Sequence, residues 1–149
     1  MKKIAISFSF LLFSAAAVTA ADDPIAVRQA LMQANAASAG AASAMLKGEM
    51  DYNPVVAKAA IATFHSTAEA MGDFFPEGSN MGETRAAPAI WENPDAFRET
   101  LAKFRTDAAA ALEASGRDGP ADLEAFRLAV MPVLSNCSAC HENFRLEDD

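Results

Sequence analysis

Residues 119–144 read GPADLEAFRLAVMPVLSNCSACHENF. Within them Leu123, Phe126, Val130, Val133, Cys137, Cys140 and Phe144 recur at alternating steps of three and four, an a/d stripe sustained over three heptads. Gly119-Pro120 is the expected opening of this helix, and Pro132 inside it removes the bond to the carbonyl of Leu128, which predicts a local kink. One such stripe buries nothing alone, so the rest of the chain must supply apolar partners.

Three upstream segments do so. Asp23-Pro24 places an N-cap and a first-turn proline at the start of a helix running to Gly48, with Ile25, Met32, Ala39 and Leu46 spaced by seven on its inward face. Asn53-Pro54 repeats that opening, and a second helix passes through Val56, Ile61, Phe64 and Met71 to Gly72. Asn93-Pro94 opens a third, carrying Phe97, Leu101, Phe104, Ala108 and Leu112 to Gly116. No run alternates apolar and polar residues as a strand would. Short connections make sequential helices antiparallel neighbours. Residues 73–93, rich in Pro, Gly and Asn, are expected to cross one end with Phe74, Phe75, Ile90 and Trp91 folded back onto the core. The expected fold is all-α, an antiparallel four-helix bundle.

The N-terminus stands apart. Residues 1–20, MKKIAISFSFLLFSAAAVTA, combine Lys2 and Lys3, an apolar run from Ile4, and small residues Val18 and Ala20. That is the pattern of a cleaved signal peptide, and the run is short for a membrane anchor. Removing it leaves residues 21–149 as one exported domain with no later segment apolar enough to span a bilayer. The full chain has 149 residues, 12 Lys+Arg against 20 Asp+Glu and a formal charge of −8; loss of the two lysines makes it −10. A chain this acidic has no means of releasing counterions from nucleic acid, and 52% hydrophobic residues exclude a disordered chain. Two cysteines are too few for a disulfide scaffold.

Those two cysteines lie in Cys137-Ser138-Ala139-Cys140-His141. Three residues apart on a helix, both thiols project from one face, and Cys-x-x-Cys-His is the attachment signature of c-type haem. In that reading Cys137 and Cys140 form thioethers with the vinyl groups, and His141 is aimed at the iron as an axial ligand. Other readings are weaker. A thioredoxin-like pair needs a βαβ context. A Cys137–Cys140 disulfide would close a tiny loop. A zinc site would need a second pair of ligands, with His65 alone left to help.

A helical bundle with this motif near its C-terminus resembles the class II c-type cytochromes, the cytochrome c′ family. The resemblance spans residues 21–149 and is carried by Arg28 to Met32, Leu46-Lys47-Gly48, Phe75-Pro76-Glu77-Gly78-Ser79, Pro88-Ala89-Ile90-Trp91 and Cys137 to Arg145. It implies one covalent haem c, a periplasmic location, single-electron transfer to unidentified redox partner proteins, and a possible homodimer through the first two helices. Ala36, Ala37, Ala39 and Gly40 would allow close approach there, or equally tight packing inside one bundle.

The family divides by what faces the iron opposite the histidine. Low-spin members place a methionine there, and the matching residue is Met32; high-spin members leave the position open and some bind nitric oxide or carbon monoxide. Leu31-Met32 followed by Asn35, and Met131-Pro132 near the motif, resemble the low-spin group, although methionine is also a common core filler. Arg28 matches an arginine near the haem propionates; its plain alternative is a surface arginine. Trp91 and Phe126 read as packing, His65 as a surface or half-buried residue without a ligand role, and Glu147-Asp148-Asp149 as a solvated tail. Near Met32 the first helix offers Arg28, Gln29, Gln33 and Asn35 but no histidine or carboxylate to act as a distal acid–base group. The expectation is therefore a carrier, not an enzyme.

Overall fold

The computed structural model describes residues 23–147; the expected signal peptide and the last two acidic residues lie outside them. Four long helices, α1 (Pro24–Lys47), α2 (Pro54–Ala70), α4 (Pro94–Ser115) and α5 (Leu123–Phe144), form the bundle, with a one-turn α3 (Ala89–Glu92) between α2 and α4. A 3-10 turn, Met71–Phe74, extends α2. No strand is present among the described residues, only a single antiparallel bridge between Ala86 and Arg145.

The starts follow side-chain chemistry. Asp23 Oδ1 accepts from the amides of Ile25 and Ala26 at 3.0 Å each, and Asn53 Oδ1 accepts from Val55 and Val56 at 2.9 and 3.2 Å. Pro24 and Pro54 then occupy the first helical position, where no N–H is missed. Asn93 works differently: its side chain makes no cap bond, and its backbone ends α3 while its carbonyl receives Phe97 N at 3.2 Å.

The last helix starts later than Gly119-Pro120 suggests. Asp122 is the N-cap, its Oδ1 accepting from Ala125 N at 2.8 Å. Residues 116–122 instead dock on the start of α2. Tyr52 Oη donates to Pro120 O, and Lys58 Nζ donates to Arg117 O. Gly119 has φ +94°, and a Cβ there would lie 2.4 Å from the Pro54 carbonyl oxygen. The helix continues unbroken through the exposed Pro132.

Packing divides the interior by height. At the end holding the 48–53 and 116–122 connections, Met45 of α1, Ile61 and Phe64 of α2, Ala108 of α4 and Phe126, Val130 and Val133 of α5 form a solid core. At the other end Met71, Ile90, Phe97, Leu101 and Phe144 form a second cluster, with Phe75, Trp91, Met32 and Cys140 packed on it. The loop therefore does fold back: Ile90 is buried, and Phe74, Phe75 and Trp91 are half-buried. This distribution requires an up-down-up-down bundle, in which α1 lies on α2, α2 on α4 and α4 on α5.

The circuit is not tightly closed, because α1 and α5 touch sparsely. The sevenfold stripe of α1 faces that gap. Ile25, Met32 and Ala39 line open space and are only half-buried, while the fully buried positions are Arg28, Ala42 and Met45.

Two glycines give opposite expectations. Gly119→Ala combines a positive φ with a collision against backbone and should cost about 2 kcal/mol or more. Gly40→Ala, mid-helix with nothing within 4 Å, should gain about 0.5–1 kcal/mol. Urea unfolding midpoints of the two variants check both signs.

Candidate functional site

The gap between α1 and α5 is a cavity of about 620 Å³, within the usual range for cofactor pockets. One wall is α5, contributing Cys137, Cys140, His141 and Phe144; the other is α1, contributing Ile25, Met32 and Ala39. Phe97, Leu101 and Phe104 of α4 form the floor, and Phe75, Ala86 and Ile90 close one side. The cysteine pair, the adjacent histidine and Met32 thus share one space, although Met32 and His141 lie 109 positions apart in sequence.

Cys137 and Cys140 are not joined in a disulfide. Burial pushes the Cys140 thiol up to about 11, with the Cys137 thiol adding to the rise; burial also raises Cys137. Burial lowers His141, assisted by the Arg145 guanidinium, so the imidazole favours its neutral, metal-binding form. Among the described residues no three His, Cys, Asp or Glu side chains gather to hold a bare metal ion, which leaves the zinc reading without ligands. A largely apolar slot with two thiols and a neutral imidazole on one wall does fit a flat, apolar tetrapyrrole that is tethered through thioethers.

Arg28 is not a surface arginine. It is 5% exposed, and burial lowers its pKa, partly offset by Asp23. Nη1 donates to Phe74 O and Ser79 Oγ, both at 2.9 Å; Nη2 donates to Ser79 O at 2.7 Å and to Thr84 Oγ1 at 3.1 Å. The group also lies 4.7 Å from the Phe75 ring centroid and 5.9 Å from that of Trp91. These contacts use all four Nη hydrogens, so only Nε–H is left for a carboxylate of a bound cofactor.

The remaining expected residues fall into plain roles. Phe126 is fully buried in the core, and Trp91 packs on Phe75 while its Nε1 donates to Pro76 O at 3.3 Å. His65 is half-buried with Nε2 3.9 Å from Glu69 Oε1, away from the cavity. Of the small residues on α1, Ala36 and Ala39 line the cavity, while Ala37 and Gly40 are exposed and remain open to a partner.

Residues that sequence reasoning missed include Asn136, which lies beside Cys137 in the cavity wall and is 4% exposed. Its Nδ2 donates to Asp107 Oδ2 at 2.7 Å and to Pro132 O at 2.9 Å, the latter inside the proline-bearing turn. A polar residue between two a/d positions is the only signal that could have flagged it. Hydrogen bonds from Lys103 first and Asn136 second lower the Asp107 pKa. A depressed folded-state carboxylate stabilises above the ordinary carboxylate range and loses that contribution as pH falls through its folded value. Asp107→Asn should therefore cost about 1 kcal/mol at pH 7 and progressively less as pH falls below the ordinary carboxylate range, read from denaturant midpoints across that range.

The chain is similar to known proteins along its length. The family profile described as Cytochrome C' matches residues 23–145. The chain is 37% identical over 147 residues to a cytochrome c-556 of Agrobacterium fabrum, covering 99% of this chain and 97% of that one. It is 31% identical over 144 residues to a cytochrome c' of Rhodopseudomonas palustris, covering 96% and 95%. A solved structure of cytochrome c' from R. palustris superposes with a TM-score of 0.76 at 30% identity, covering 85% of this chain and 98% of that one. With cavity, motif and alignment spanning the same helices, this chain belongs to the cytochrome c′ family, a family of haem c proteins.

Proposed function

We propose that this protein is a periplasmic class II cytochrome that carries single electrons on one covalent haem c. Cys137 and Cys140 are the thioether anchors, His141 is the proximal ligand and Met32 the distal one. The observation that supports this reading is the common cavity, which both cysteines and His141 enter from α5 and Met32 from α1. Bound there, the haem supplies a reversible one-electron iron couple. The protein's part would be to hold it: Phe97, Leu101, Phe104 and Phe144 line the slot and would exclude water from the bound group, and the thioether of Met32 would offer a soft donor that raises the potential. Arg28 contributes chiefly by fixing the loop beside the site, with Nε–H available to a propionate.

The lysine-bearing apolar N-terminus supports export, and no described helix is long and apolar enough to cross a membrane. Self-association through α1 and α2 would use the exposed Ala37 and Gly40. A second reading has its own support. Met32 also packs against the buried cluster of Met71, Ile90 and Phe97, a filler's position, and the solved structure from R. palustris described above is a cytochrome c'. In that reading the distal position is open to nitric oxide or carbon monoxide.

Absorption spectra of the purified holoprotein in both oxidation states, with and without carbon monoxide, separate the two. The expected result is a low-spin spectrum with no ready carbon monoxide binding, and Met32→Ala should turn it high-spin and admit the gas. A high-spin wild type that Met32→Ala leaves unchanged overturns the methionine ligation. Cys137→Ala/Cys140→Ala should abolish haem that survives denaturing electrophoresis.

A further inference from the structure

We propose that residues 75–87 act as a strap that sets the width of the α1–α5 gap, and with it the separation of Met32 from His141. The two helices make few direct contacts, and packing ties them together chiefly by way of α2 and α4. The strap is tied to both. On the α1 side, Arg28 donates to Ser79 Oγ, Ser79 O and Thr84 Oγ1. On the α5 side, Ala87 N donates to Phe144 O at 3.0 Å, Leu146 N to Arg85 O at 2.8 Å, and Arg85 Nη2 to Leu146 O at 2.9 Å, forming the bridge between Ala86 and Arg145.

The ties lie where they have leverage. Arg28 is four residues before Met32, one helical turn; Arg145 is four residues after His141. Thr84 joins the two attachments, because its Oγ1 accepts from Arg28 Nη2 at 3.1 Å and from Ala86 N at 3.2 Å. Between the guanidinium and the bridge there is thus one hydroxyl and two residues of chain. A segment this short, bonded at both ends, transmits the position of one helix to the other. Thr84, Arg85 and Ala86 also line the cavity, so the strap's position controls access as well as spacing. Thr84 is a positioning residue: it acts through Arg28 and the bridge, not by contact with iron.

The consequence for axial ligation rests on the haem reading above; the spacing role does not. The test compares wild type, Thr84→Val, which removes the hydroxyl, and Thr84→Ser, which keeps it, all as holoproteins. Amide hydrogen exchange across 79–87 and the association rate of carbon monoxide with the reduced protein are measured together with the spectrum. Thr84→Val should speed strap exchange and carbon monoxide association by about tenfold each, the effect of roughly one or two lost hydrogen bonds. A high-spin fraction should appear with it, and Thr84→Ser should behave as wild type. Arg28→Gln should exceed Thr84→Val in both rates; if it fails to fold, the Val/Ser pair carries the comparison. If the wild type proves high-spin and indifferent to Met32→Ala, methionine ligation falls, while faster gas association in Thr84→Val still supports the strap. Unchanged gas association and spectrum in Thr84→Val, whether or not strap exchange rises, overturns the proposal.

Discussion

A buried guanidinium keeps its charge and must find acceptors inside the protein. Arg28 meets that demand with two backbone carbonyls and two hydroxyls, all drawn from residues 74–84. The constraint works in both directions. It holds a segment containing two glycines and Pro76 in one path without regular secondary structure, and it pins the N-terminal half of α1 to the loop that α5 also grips. Phe75 and Trp91 complete the enclosure by offering ring faces to the cation. Remove this knot and α1 is anchored mainly by α2, at the far side of the bundle from His141.

The cavity is the counterpart of that anchoring. A bundle that packed all four seams equally would leave no room for a cofactor. Here three seams and the end distant from the cysteines carry the solid core, while the fourth seam is held apart beside His141. Stability and function are thereby separated along the bundle axis: Phe64, Phe126 and Val130 hold the helices, and Met32, Cys137, Cys140 and His141 face the open space. Asn136 marks the boundary. It is buried beside Cys137 and fastened to α4 through Asp107, so the wall bearing Cys137 is bonded to the floor.

Much of this was legible in the sequence because it is local. The caps at Asp23 and Asn53, the stripe from Leu123 to Phe144 and the Cys137–His141 motif each declare themselves within a few residues, and together they specify helices, bundle and attachment chemistry. The errors are non-local. Gly119-Pro120 looks like a helix start, yet docking against Pro54 and Tyr52 holds that dipeptide outside the helix and passes the cap to Asp122. The spacing of Ile25, Met32 and Ala39 suggested an inward core face, and it does face inward, but towards a cavity that periodicity alone does not distinguish from packed core. Arg28 was readable by family resemblance, whereas its bonds across about fifty residues to Ser79 and Thr84 were not, because no pattern in either segment names the other.

The central claim is that Met32 and His141 face one another across the haem slot. The most direct measurement is the proton NMR spectrum of the reduced holoprotein. A methionine methyl bound to the iron lies in the ring current of the haem, so a three-proton resonance displaced far upfield, and absent from Met32→Ala, is the predicted result. A reduced spectrum with no such methyl signal, or one that persists in Met32→Ala, contradicts the account.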